Sequence, residues 1–503
     1  MKKFLLAIPI TALAVLFFSC GEDDPPLPPA PTPPAERTFR AINLNTEQYY
    51  NVRATLLAEG AYGNIWVENG SGVNEAAAKA VADEYDNIYS MMIKFFSEKN
   101  ISNPFPSGSR TYSDIMQFAL ALTGESKVCI LLLDIKDNYI KDVNDSYVAG
   151  YFDPGNVFDE PDSNRSVMIY IDINPLKAGL EMYKTLAHEM QHLMNFANSF
   201  IYRVIDNTLY GMDMWIDEGL SAAAEWIYER ENGIEHSDDK LKWFNQNDIV
   251  NGKINVGNNF FVWGNRDNES PYAVLDDYAT VYLFFQWLRL QSGGSTGIYL
   301  DIITSTGVDY SAVTKAAHNK ISTDYGNDWG KLLRDWLAAN YINADGGRYG
   351  YMDDPVFKSI KAPTAPADTT KLSLYPGEGV YSIVNSSYSG GMPTSGANSK
   401  IAYVGLNNSG DVIGSAIDVN TTAALLTYNI DTVNYVVYND DGTITPLQVE
   451  DGTVTGIAAS VGISQTQGRF AGEPLGPFRI SATDMLRLNG RGSSNIRIIK
   501  VKE

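Results

Sequence analysis

The chain has 503 residues, 44% of them hydrophobic and 19% charged, a globular composition too long for one ordinary core. Lys and Arg number 38 against 60 Asp and Glu, and the net charge of -22 excludes a protein that neutralises nucleic-acid phosphates through a basic surplus. Two cysteines, Cys20 and Cys129, exclude a disulfide framework and a cysteine-rich zinc module.

Met1-Lys2-Lys3 is a short basic start, and Phe4 to Phe18 is an apolar run. The run is short for a membrane span and suits a secretory signal. It ends in Ser19-Cys20, which resembles a bacterial lipoprotein signal cut before the cysteine, although Phe17 stands where Leu is usual. The expectation is a signal peptide over 1–19 and a lipid anchor on Cys20, placing an exported lipoprotein at the outer membrane or cell surface. An ordinary signal peptide cut nearby is the alternative. Residues 20–36 then form a tether: Gly21 to Asp24 is acidic, and Pro25 to Pro34 is mostly proline, a stiff extended spacer.

Residues 37–72, rich in β-branched and aromatic side chains, predict a small N-terminal β unit. From Val73 to Lys99 the pattern turns helical, with Val81, Tyr85, Ile88, Met92 and Phe95 on one face. Strands follow at Lys127 to Ile135, Tyr147 to Phe152 and Val167 to Ile173, with Cys129 as an inert core residue. A helix opens near Pro175 and runs through His192 to about Asn198. Residues 215–342 read as mostly helical, including Ile216 to Arg230, Asp276 to Gln291 and Asp328 to Asn340. Ala362 to Thr370 reads as a linker. Residues 371–503 hold short alternating runs (Ile401 to Leu406, Val433 to Tyr438, Ile496 to Val501) and hairpin signals at Asp441-Gly442 and Asp451-Gly452. They predict a β-sandwich domain with no histidine and no evident catalytic set.

His188-Glu189-Met190-Gln191-His192 is an H-E-x-x-H sequence. On a helix, residues i and i+4 share a face, so both imidazoles can hold one zinc ion. Glu189 lies beside them, placed to take a proton from a zinc-activated water as it attacks a carbonyl carbon. The flanks, Thr185-Leu186-Ala187 and Leu193 to Phe196, are uncharged and mainly apolar, which suits a helix buried across a cleft. Asn195 and Asn198 occupy the places where a metzincin has Gly and a third His, so that class is excluded. His236 and His318 lie outside any ligand-like pattern and read as ordinary surface or core residues.

Trp215 to Glu225 (WIDEGLSAAAE) resembles the W-x-x-E-G segment of gluzincin metallopeptidases. That resemblance implies that Glu218 completes a site of two histidines and one glutamate, with a fourth position left for water. Many gluzincins carry a carboxylate four residues further on to orient a histidine; here that position is Ala222, which leaves the role to Asp217, to Glu225 or to a residue elsewhere in the chain. The segment from Asp276 to Phe285 resembles the helix whose tyrosine hydroxyl steadies the oxyanion in related gluzincins. It offers Tyr278 first and Tyr282 in reserve, with Val281 where those proteins have Gly.

His188 to Phe196 (HEMQHLMNF), Trp215 to Glu225, the Tyr278 helix and Asp328 to Asn340 (DWGKLLRDWLAAN) together resemble the hyicolysin family of bacterial metallopeptidases, over roughly residues 40 to 345. The resemblance implies a zincin-type metallopeptidase domain over 73–361, with a small mixed sheet and a mainly helical lower subdomain; it does not explain the lipid anchor or the all-β sandwich-like domain read from the residues over 371–503, and the whole chain is expected to be α+β. The resemblance also implies Zn2+ held by His188, His192 and Glu218, with Glu189 as general base, and a neutral metalloendopeptidase acting on protein or peptide substrates. No G-x-M-E-N-like element for holding a free amino terminus is present, which favours internal cleavage. The alternative is a surface adhesion or binding lipoprotein, in which the C-terminal β domain meets a surface partner and the zincin-like part is idle.

Overall fold

The computed structural model describes residues 36–432 apart from short stretches, the longest being 262–272, and beyond them 447–450, 453–454 and 496–500. The signal peptide, Cys20, the tether up to residue 35, the 433–438 run and the Asp441-Gly442 and Asp451-Gly452 turns lie outside the described residues.

The first half of the chain supplies six strands of a seven-stranded sheet. Its strands are β1 (Glu36–Asn43), β2 (Gln48–Glu59), β3 (Gly63–Glu68), β4 (Val128–Leu133), β5 (Ser146–Tyr151), β6 (Met168–Asp172) and β15 (Ile496–Lys500). Their order is β1-β2-β3-β4-β6-β5-β15. The strands of 37–72 therefore do not stand apart. β3 pairs in parallel with β4, and β4 in parallel with β6, so the N-terminal strands and the central ones form one surface. The strand expected at the end of the C-terminal domain also joins this sheet, antiparallel to β5.

β4 is apolar throughout because both its faces are covered, as central parallel strands require. Val128, Ile130 and Leu132 face the helices, while Cys129, Leu131 and Leu133 pack with Phe39, Trp66 and Tyr170 on the other side. Burial pushes the Cys129 thiol far above its ordinary range, which makes it inert.

On the helix side lie α1 (Glu75–Phe96), α2 (Ile115–Thr123) and α3 (Leu180–Tyr202). α1 starts at the Asn74 cap, whose side chain accepts from the Ala77 amide. It buries Val81, Tyr85, Ile88 and Met92, the predicted stripe, and closes the face with Phe96 where Phe95 was expected. α3 is buried from Lys184 to Phe200 without a break. A helix enclosed on all sides fixes its polar side chains in place, and this one carries the H-E-x-x-H residues.

The helical half adds α4 (Met214–Glu231), α5 (Asp239–Asn245), α6 (Ala273–Gln291), α7 (Gly297–Ile303), α8 (Tyr310–Lys320) and α9 (Trp329–Ile342). Trp215, Phe260, Phe284, Trp329 and Trp336 interlock between α4, α6 and α9, with ring centroids 4.8–6.0 Å apart.

The described C-terminal strands form two five-stranded sheets. One is β7-β9-β12-β10-β11, from Thr364–Ala365, Gly379–Ile383, Thr422–Asn429, Ile401–Asn407 and Val412–Ile413. The other joins Ile249–Val250 and Lys253–Ile254 to β8 (Lys371–Leu374), β13 (Leu447–Glu450) and β14 (Thr453–Val454). Ile254, Leu372 and Leu374 of one sheet meet Ala365, Val380 and Ile401 of the other in a small core. β13 and β14 pair antiparallel, with Glu450 opposite Thr453.

The first residues of the stretch read as a linker are built in. Ala362 and Ala365 are buried, and Thr364–Ala365 pairs in parallel with β9. The first of these sheets lies directly on α9: the Tyr381 hydroxyl donates to the Leu337 carbonyl at 2.6 Å. A Cβ on Gly379 would come within 2.7 Å of the Leu337 side chain. One buried apolar cluster runs unbroken from Ala58 to Tyr428. Among the described residues no helix is long and apolar enough to cross a membrane.

Candidate metal centre

Two buried helices make the centre. α3 brings His188, Glu189 and His192, and α4 brings Asp217, Glu218, Ser221 and Glu225. Glu218, Ser221 and Glu225 recur at helical spacing and so share one face of α4. His188, Glu189 and Glu218 are fully buried, and His192 is 1% exposed.

The two imidazoles are held in matching ways. His188 Nδ1 lies 2.7 Å from Glu225 Oε1. His192 Nδ1 lies 3.0 Å from Asp217 Oδ2 and 3.2 Å from Ser221 Oγ. A carboxylate at each Nδ1 favours the proton on that nitrogen and leaves Nε2 as the lone-pair nitrogen. Both Nε2 atoms then face Glu218: Oε2 is 3.2 Å from His188 Nε2 and 3.6 Å from His192 Nε2. Asp217 and Glu225 were alternatives for one role; the structure uses both, one on each histidine.

A third layer sits behind His192. Asp217 Oδ1 accepts from Asn195 Nδ2 at 2.5 Å, and Asn195 Oδ1 accepts from Arg203 Nη1 at 3.0 Å. Arg203 is fully buried at the end of α3, where it also donates to the Asn195, Ile303 and Ser305 carbonyls and to Ser199 Oγ. Burial draws its guanidinium down to about 9, and the nearby Asp217 charge opposes that fall. It remains a cation at neutral pH. Asn195, which in the sequence counted only against one class of site, is thus part of the support of His192.

His188, His192 and Glu218 can each offer one ligand atom, and those atoms all lie within 4.8 Å of one another. Bonds of about 2.0–2.2 Å to a tetrahedral ion place neighbouring ligand atoms roughly 3.3–3.6 Å apart. The separations of 3.2 and 3.6 Å match that spacing. His192 Nε2 is buried with no hydrogen-bond partner among the described residues, a state an ion would relieve. The residues present fit a metal ion.

The chain is similar to a bacterial neutral metalloprotease. The relative is the neutral metalloprotease ShpI of Staphylococcus hyicus, 27% identical over 331 residues. The match covers 64% of this chain and spans 66% of the length of that protein. No protein-family model matches the chain.

The remaining candidates divide. Tyr278 is 3% exposed on α6, its ring centroid 6.3 Å from that of His188. Tyr282, one turn on, packs on Phe357 instead, and burial raises its hydroxyl well above the ordinary tyrosine range. Proximity to the centre therefore favours Tyr278. His236 stacks on Trp226 and bonds Glu229 through Nδ1 at 2.8 Å, and His318 bonds the Thr323 carbonyl. Neither is among the grouped ligand atoms.

Gly219, next to Glu218, lies against Phe285 of α6. A Cβ there would lie 2.3–2.8 Å from three ring carbons of Phe285. The aromatic rings around Phe285 leave it little room to retreat. Gly219→Ala is expected to lower stability by about 1–3 kcal/mol through overpacking. A denaturant titration with an unchanged midpoint would show that the two helices can part at no cost.

Proposed function

We propose that the protein is an exported zinc-dependent metalloendopeptidase with a zincin-type domain resembling the hyicolysins. The buried His188–His192–Glu218 group, with a carboxylate at each Nδ1, carries the reading. The similarity to a neutral metalloprotease supports it, and two imidazoles with one carboxylate suit zinc.

In this reading His188 and His192 hold the ion through Nε2, and Glu218 holds it through its carboxylate. A bound zinc ion supplies Lewis acidity, lowering the pKa of water and drawing charge from the scissile carbonyl. Glu189 accepts the proton of the attacking water on a carboxylate oxygen and returns it to the departing amine nitrogen. The Tyr278 hydroxyl donates to the oxyanion as it forms. Glu225 and Asp217 hold the two rings so that neither has to reorient as the substrate arrives.

The lipid anchor on Cys20 and the surface location belong to the same proposal, and the signal-like start of the sequence supports them. The full-length protein is expected to cleave casein, to fall to background in a strong zinc chelator, and to recover when zinc is returned. Cleavage that persists after metal analysis shows a metal-free sample would overturn the proposal.

A further inference from the structure

Lys240 stands on α5, outside the α3–α4 pair. Its Nζ lies 2.9 Å from Glu225 Oε2, while Oε1 of the same carboxylate lies 2.7 Å from His188 Nδ1. Glu225 is 3% exposed, and the Lys240 side chain is 16% exposed. A carboxylate this deep in the protein needs a countercharge to stay ionised and in place. The neighbouring cation on α3, Lys184, lies 3.2 Å from Glu229, one turn along α4.

The two histidines therefore differ in the origin of their support. Behind His192, the line Asp217–Asn195–Arg203 is supplied by α4 and by α3 and its end. Behind His188, the cation comes from a separate short helix. α5 packs against α6, the helix of Tyr278, and the Lys240 ammonium lies 5.4 Å from the centre of the Tyr282 ring.

We propose that Lys240 is a positioning residue for the metal centre, acting through Glu225 to fix the ring plane and tautomer of His188. This rests on the metal-site reading above. It means that the seat of the ion depends on where α5 and α6 stand, so a shift of the wall that carries Tyr278 is felt at His188. Losing the ammonium loosens Glu225 Oε2, and the Nδ1 bond that aims the imidazole slackens with it.

The test uses the full-length protein as wild type, Lys240→Met, Lys240→Arg, Glu225→Gln and the Lys240→Met/Glu225→Gln double variant. Zinc affinity is measured by competition with a chromophoric chelator, and the Co2+-loaded proteins are compared by visible absorption. Lys240→Met is expected to weaken zinc about 10-fold, at the lower end for residues that support a ligand, and to alter the cobalt bands. Lys240→Arg is expected to restore most of the affinity. In the Glu225→Gln background, Lys240→Met is expected to add nothing further.

Unchanged affinity and cobalt bands in Lys240→Met would overturn the role of Lys240 and leave the metal reading intact. So would a lower thermal midpoint of the metal-free protein as the sole effect, or the same loss of affinity when Glu225 is already Gln. A wild type that binds no stoichiometric zinc would sink both readings, and would do so before any variant is compared. If Lys240→Met does not fold, Lys240→Gln carries the same comparison.

Discussion

Glu189→Gln is expected to lower turnover of casein or a peptide substrate by about 10²–10⁴-fold, the usual worth of a positioned general base, with the zinc content unchanged. The amide has the shape of the carboxylate and can sit at the same fully buried place on α3. It cannot accept a proton at neutral pH. His188 and His192 flank it on the helix but are held by Glu225 and Asp217, so the ligand geometry does not depend on residue 189. Turnover and metal content should therefore separate: metal analysis gives one zinc per chain in both proteins, and only the wild type cleaves. A variant that keeps zinc and turns over normally would mean that another group takes the proton.

Glu218→Gln is expected to weaken zinc by at least about 100-fold, because changes to residues behind the ligands already cost 10–100-fold. The Glu218 carboxylate lies against both Nε2 atoms and supplies the negative charge at their meeting point. The amide keeps the volume and loses the charge, leaving two neutral imidazoles to hold a dication. Activity should fall in step and return in part with excess zinc, which separates a weakened site from a misfolded protein. Competition with a chromophoric chelator gives the affinity directly. An unchanged affinity would place the third ligand elsewhere and remove Glu218 from the centre.

The H-E-x-x-H residues were legible because helical spacing alone puts them on one face, and α3 does so. The β4 run was legible because a strand buried on both faces has no alternation to hide. α2 was missed, although Asp114 caps its start and Gly124, at φ 76°, ends it. Ile115 to Thr123 is apolar on most sides, so the period of 3.6 that marks an exposed helix is faint there. The start of α3 lay five residues beyond Pro175, since the backbone becomes helical only after Gly179.

The supports of the centre show a sharper limit. Asp217 and Glu225 were visible as carboxylates near Glu218, but the choice between them had no local answer, since each serves a different ring. Lys240 carried no signal at all. Its partner is 15 positions away on another helix, and only tertiary packing brings the two together. The final strand was readable as a strand, yet its neighbour, β5, lies far upstream at Ser146–Tyr151.

The contact between α9 and the sheet of β9 and β12 bears on how such a protein can be assembled from parts. A module joined by a loose tether can be traded between proteins as a cassette. Here Gly379 makes room for Leu337, Tyr381 grips its carbonyl, and Leu426 shares its core, so each side is shaped to the other. Cutting between them would strip an apolar face from α9 and expose it to water. The β sheet is therefore a wall of the helical half, and any surface it offers to another molecule is presented at a fixed angle to the metal centre.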